Sequence, residues 1–104
     1  MNHIEVDGRS VAFTETGAGP DLVLVNGFAA TANDWDPGFV ARLAESNRLI
    51  LVEHRGMGVS GDDGRPFSIA DLAADVGAVI ASQTSGSAAV LGWSMGGYVA
   101  QQLA

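Results

Sequence analysis

The 104-residue sequence predicts an α/β fold, with a mostly parallel sheet of about five strands and helices on both faces. Three observations carry this. First, three short apolar runs, Asp21-Leu22-Val23-Leu24-Val25, Leu49-Ile50-Leu51-Val52 and Ala88-Ala89-Val90-Leu91-Gly92, have the near-continuous apolar character of strands buried on both faces. Second, stretches with helical spacing separate them, and strands alternating with helices imply parallel pairing through crossovers. Third, the last run ends in Gly92-Trp93-Ser94-Met95-Gly96, and helix-forming residues follow at once.

Taken in order, Ile4 to Val6 and Val11 to Thr14 read as short strands around a turn at Asp7-Gly8-Arg9. Thr16 to Pro20 is a loop, and the run at Asp21 to Val25 ends in Asn26-Gly27-Phe28. A helix starts near Asp36, with Pro37 at its first position and Phe39, Val40, Leu43 and Ala44 inward; Asp34 is the competing cap. The second buried strand lies within Asn47 to Glu53, and a polar loop runs from His54 to Pro66. Ser68 caps the next helix, with Asp71 three positions on as a capping box. Ile69, Leu72, Ala73, Val76, Val79 and Ile80 form its apolar stripe. Gln83 to Ser87 is a turn, and Met95 to Ala104 begins a third helix.

Composition narrows the function classes. An apolar fraction of 47% with 16% charged residues suits one small globular domain and not a disordered chain. The net charge is −7 and the five basic residues, all arginine, form no cluster, which argues against nucleic acid or an anionic membrane surface as partner. With no cysteine, disulfides, thiolate nucleophiles and thiolate metal sites are excluded. Neither a signal-peptide pattern at Met1 to Asp7 nor an apolar run of about 18 residues is present, so a cytoplasmic protein is expected.

The pentapeptide Gly92 to Gly96 has a steric logic. A serine projected from a tight strand-to-helix bend requires the residues two before and two after it to press together, so both are glycine. The bend also places the hydroxyl at a helix N-terminus, where free N–H groups favour developing negative charge. Asn26-Gly27-Phe28 and Glu53-His54-Arg55-Gly56-Met57-Gly58-Val59-Ser60 stand upstream at consistent separations. In this combination the chain resembles the N-terminal part of an α/β-hydrolase of the esterase, lipase, peroxidase-like and C–C hydrolase group. The three segments match the His-Gly-aromatic turn, the Asp-x-Arg-Gly-x-Gly-x-Ser segment and the nucleophile elbow of that family.

The resemblance implies a sheet order of 1-2-4-3-5, with residues 1–104 as the first part of the domain. It implies Ser94 as nucleophile, the backbone N–H groups of Phe28 and Met95 as oxyanion donors, and Gly92 and Gly96 as the elbow glycines. It implies hydrolysis of an ester or related acyl or C–C bond of a small apolar substrate through an acyl-serine, with no cofactor and no metal. The side chains of Phe28 and Trp93 are expected to pack beneath the pocket floor. Asn26 departs from the family histidine, and Glu53 from the family aspartate. Glu53 and Arg55 are read as residues that tie their loop down.

The eight residues after Gly96 contain no Asp, Glu or His, although the family places its triad acid and histidine there. His3 is read as an exposed polar residue. His54 falls two strands from Ser94, about 10 Å away at ordinary strand spacing, too far for direct proton transfer. The chain is therefore expected to be a fragment of a serine hydrolase, inactive alone. The alternative, from a different class, is a non-catalytic α/β module or truncated gene product that pairs with another chain, or with itself, through its open sheet edge. Gly56-Met57-Gly58-Val59-Ser60-Gly61 spells Gly-x-Gly-x-x-Gly, but Asp62-Asp63-Gly64-Arg65-Pro66 follows instead of a helix, so no dinucleotide is expected there.

Overall fold

A computed structural model describes residues Met1–Ala104. Five strands, β1 (Asn2–Val6), β2 (Arg9–Thr16), β3 (Asp21–Val25), β4 (Arg48–Val52) and β5 (Ala89–Gly92), form one sheet of order β1-β2-β4-β3-β5. Three helices accompany it: α1 (Pro37–Ala44), α2 (Ile69–Gln83) and α3 (Met95–Leu103).

The order is the expected one, but the sheet is mixed and not mostly parallel. β4, β3 and β5 run parallel, whereas β1 and β2 are antiparallel to each other and β2 is antiparallel to β4. The cause is local. Asp7 (φ 50) and Gly8 (φ 77) make a two-residue hairpin turn, so β2 returns directly along β1 without a crossover. Only the strands after β2 are separated by helices long enough to reset their direction.

The pleat of β3 and β4 sorts the core into two layers. Val23, Val25, Ile50 and Val52 face Leu72, Ala73, Val76 and Val79 of α2 and Val99 of α3. Leu24, Leu49 and Leu51 face the opposite way, against Val40, Leu43 and Ala44 around α1. Both faces of the inner strands are therefore apolar, as their composition requires. β5 pairs with β3 alone, which leaves its other edge open.

Caps define the helix starts. The Ser68 side chain accepts from Asp71 N–H at 3.2 Å while Asp71 accepts from Ser68 N–H at 2.8 Å, a reciprocal capping box at α2. That second hydrogen bond, first among the causes, holds the Asp71 carboxyl below its usual pKa. At α1, Asp36 accepts from Phe39 N–H at 2.9 Å and Pro37 occupies the first turn. Asp34 caps something else: with Thr31 it closes a 3-10 turn over Ala32–Asp34. Phe39 departs from the expected inward face. It is exposed and stacks on Trp35, with ring centroids 6.1 Å apart, because a helix of two turns offers only a narrow buried stripe.

Candidate active site

Ser94 sits at the junction of β5 and α3 with φ 57 and ψ −123, a backbone conformation that costs a non-glycine residue about 1–3 kcal/mol. The bend is held from both sides. Trp93 N–H donates to Val25 O at 3.0 Å, Gly96 N–H to Trp93 O at 2.9 Å and Gly97 N–H to Ser94 O at 2.8 Å. A methyl group on Gly92 would strike the Gly96 carbonyl, and one on Gly96 would strike the Val25 carbonyl and lie 2.7 Å from Asn26 O. These contacts are backbone on backbone and have no side chain that could yield. Ser94 itself is exposed, and its hydroxyl makes no capping bond to α3.

The β3 and β5 strands are neighbours, with Val25 opposite Gly92, so the loop after β3 meets the bend. A Cβ on Gly27 would lie 3.3 Å from Ser94 Cβ and 3.6 Å from its Oγ. Asn26 Oδ1 accepts from Gly27 N–H at 2.8 Å, so the amide fixes the loop backbone. Phe28 N–H has no acceptor within the protein, and Met95 N–H opens α3, where intrahelical acceptors are lacking. The structure thus gathers Ser94, Phe28, Met95, Gly92 and Gly96 at the C-terminal ends of adjacent parallel strands, the usual place for sites in α/β folds.

The side chains of Phe28 and Trp93 are not beneath a floor. They are 73% and 67% exposed, and Tyr98 is likewise exposed. The bend that lifts Ser94 out of the sheet lifts Trp93 with it, and Phe28 stands on the loop after β3 that faces the bend. One shallow cleft is lined by Ser94, Gly97, Tyr98 and Gln101, and another by Phe28, Ala29, Arg55, Met57, Asp62 and Phe67 among others.

The segment after β4 does structural work, as read for Glu53 and Arg55. Buried Glu53 accepts from Ala32 N–H at 3.0 Å and from Val59 N–H at 2.9 Å, which ties its own loop to the loop after β3. Ser60 Oγ donates to Glu53 O and accepts from Ala12 N–H, both at 2.8 Å. Arg55 donates from Nε and Nη2 to Asp75 at 3.0 and 3.1 Å. Arg9 donates to the same carboxylate from Nη1 and Nη2 at 3.0 and 2.9 Å. That hydrogen bonding to Asp75 raises the Arg9 pKa above its already high ordinary value. The Gly56 to Gly61 run is followed by loop, and α2 opens only at Ile69.

Neither histidine meets Ser94. His3 is exposed, with Nδ1 3.0 Å from Ser10 Oγ. His54 is buried, with Nε2 3.2 Å from Asn26 O and Nδ1 without a partner. Burial pushes its pKa below 6.5 and favours the neutral ring. No group of three His, Cys, Asp or Glu side chains is placed to hold a metal ion.

The roles of Asp75 and Arg9 were not legible in the sequence. Asp75 is a single carboxylate beside the apolar stripe of α2, and its arginines lie 66 and 20 residues away. The only signal was that a lone acid flanking an apolar stripe needs a cation.

Comparison with known proteins agrees with this geometry. Residues 22–104 match the model of the alpha/beta hydrolase family. A pimeloyl-(acyl-carrier protein) methyl ester esterase of Aeromonas hydrophila subsp. hydrophila is 41% identical over 96 residues, covering 91% of this chain and 36% of that protein. An esterase from Rhodococcus sp. ECU1013 superposes with TM-score 0.86 at 36% identity, covering 97% of this chain and 38% of the other. A hydrolase from Pseudomonas aeruginosa PA01 superposes with TM-score 0.91 at 31% identity, covering 98% and 39%. The chain belongs to the alpha/beta hydrolase family. It spans a little over a third of the length of these relatives.

Proposed function

We propose that Ser94 is the nucleophile of an esterase-type hydrolase, and that the N–H groups of Phe28 and Met95 stabilise the oxyanion of its tetrahedral intermediate. The observation that carries this reading is the exposed hydroxyl at φ 57 on a glycine-packed bend, with the Gly27–Phe28 backbone against it. Attack by Ser94 Oγ on an ester carbonyl gives an acyl-serine and releases the alcohol; water then releases the acid. Two preset N–H donors meet the developing charge without reorganisation, each worth about 3 kcal/mol of barrier. The substrate is a small ester with an apolar portion, which suits the exposed Phe28, Trp93 and Tyr98 and the methyl ester named for the Aeromonas relative.

A serine hydroxyl needs a base within hydrogen-bond reach, and no His, Asp or Glu of these 104 residues bonds to Ser94. The base and its acid partner are assigned to sequence beyond these residues, and the 104 residues alone turn over little. No helix is long and apolar enough to cross a membrane, and the chain has no cysteine, which fits a cytoplasmic setting. A second reading has its own observation, the open edge of β5: an inert module that pairs with another chain or with itself there.

One experiment separates the two. The folded chain is expected to take up a fluorophosphonate slowly, at Ser94 only, and Ser94→Ala to take up none. Absence of labelling in folded chain favours the inert module. Rapid hydrolysis of p-nitrophenyl acetate by the 104 residues would refute the assignment of the base elsewhere.

A further inference from the structure

His54 is buried, and no step of the reaction uses it. Its Nε2 lies 3.2 Å from Asn26 O; a carbonyl oxygen only accepts, so Nε2 carries the ring proton and donates. Nδ1 is then a bare acceptor without a partner. A buried polar atom left unpaired is destabilising, and an apolar side chain would fill the space without that cost. What the imidazole adds is the donor. No other group donates to Asn26 O, and Asn26 is itself buried. That carbonyl stands at the root of the loop after β3, against the first turn of α3: a methyl group on Gly96 would lie 2.7 Å from it. Its peptide is held at the other end too, where Gly27 N–H donates to Asn26 Oδ1 at 2.8 Å. Gly27, next in the chain, is the residue packed on Ser94. Farther along, the segment after β4 holds the same loop at Ala29, whose N–H points at Met57 Sδ 3.2 Å away, and at Ala32, whose N–H donates to Glu53. Of these tethers His54 is the one at the root, beside Gly27.

We infer that His54 is a positioning residue: its Nε2–H holds the Asn26 carbonyl and thereby seats the loop after β3 against Ser94. Without that donor the carbonyl is left buried beside Gly96 with no partner. Flipping the Asn26–Gly27 peptide does not relieve it, because the flip turns the carbonyl onto Asn26 Oδ1, acceptor against acceptor. The relief that remains is for the loop root to move off α3 toward water. Such a shift carries Gly27 and the Phe28 N–H along as one body, so it changes the distance from that donor to Ser94 without any peptide turning over. The seating of the loop stands on geometry alone; its catalytic consequence rests on the hydrolase reading above. No proton leaves the ring and no covalent bond changes. His54→Leu fills similar space without donating, and His54→Gln restores an N–H near the place of Nε2, so the pair separates the hydrogen bond from packing.

The test uses the 104-residue chain with isotope labelling. A long-range proton–nitrogen spectrum of the parent gives the His54 tautomer, expected to carry its proton on Nε2. The amide nitrogen shift of Gly27 follows hydrogen bonding at the preceding carbonyl. It is expected to move upfield in His54→Leu and to stay near the parent value in His54→Gln. Fluorophosphonate uptake at Ser94 is expected to slow by about tenfold in His54→Leu, part of the effect of losing a whole oxyanion donor, and to recover in His54→Gln. A parent ring protonated on Nδ1 alone overturns the inference even if a variant fails to fold. So does a His54→Leu protein that keeps the parent's Gly27 shift or labels as fast as the parent, or a His54→Gln protein that stays as slow as His54→Leu. If the tautomer and the Gly27 shift follow the expected pattern while no protein labels, the seating of the loop stands and the hydrolase reading falls.

Discussion

Asp75→Asn tests the buried network that holds the site's supporting loop. Asp75 is 1% exposed, and its carboxylate accepts four charge-assisted hydrogen bonds of 2.9–3.1 Å, two from Arg9 on β2 and two from Arg55 after β4. Asparagine keeps the shape and one acceptor oxygen. It removes the negative charge between two buried guanidinium groups and turns an N–H₂ toward one of them. Breaking a buried pair by removing one partner costs about 3–5 kcal/mol, because a charge is left uncompensated. A domain of this size has about 5–15 kcal/mol in all. The loss is read by urea denaturation followed by circular dichroism. With m about 1.5 kcal/mol/M, a loss of about 4 kcal/mol lowers the midpoint by about 2.7 M. Replacing all three residues, Arg9→Met, Asp75→Leu and Arg55→Met, should recover most of the loss, since a packed apolar trio needs no charge balance. A midpoint for Asp75→Asn within about 0.5 M of the parent would refute the reasoning, for it would mean that water reaches the guanidinium groups and compensates them.

Gly96→Ala places a methyl group into the Val25 and Asn26 carbonyls, so α3 must move off β3. A loss of about 3 kcal/mol is expected, together with loss of Ser94 labelling in whatever protein still folds; an unchanged melting curve would count against the elbow geometry. His54 gives a pH dependence of definite sign. Its folded pKa lies below 6.5 because burial disfavours the cation, so between those values the unfolded chain binds a proton that the folded chain refuses. Stability therefore falls as pH drops through 6.5, by at most about 1.4 kcal/mol per pH unit, and levels off below the folded pKa. His54→Gln, which keeps a donor for Asn26 O, should flatten melting temperatures between pH 7.5 and 5; equal slopes in both proteins would refute this.

Much of the site was legible because its constraints are local. The Gly92 to Gly96 spacing encodes a bend that only glycines permit, and the structure shows each glycine against a backbone carbonyl. The Ser68–Asp71 box and the Asp36-Pro37 start are likewise short-range hydrogen-bond patterns that a reader can locate by counting residues. The exposure of Phe28 and Trp93 was not legible, because an aromatic beside a nucleophile reads as core until the direction of the bend is known.

By itself the sequence determined which segments become strands and helices, where α1 and α2 begin, and which serine is lifted from the sheet. These follow from period, capping and sterics within a few residues. Tertiary structure alone decided the rest. It set β2 antiparallel beside β4. It brought Arg9 and Arg55 to one carboxylate, and it put a thioether under Ala29. Each of these depends on partners far apart in the chain, and a hydrogen bond or charge pair leaves no periodic trace at either end.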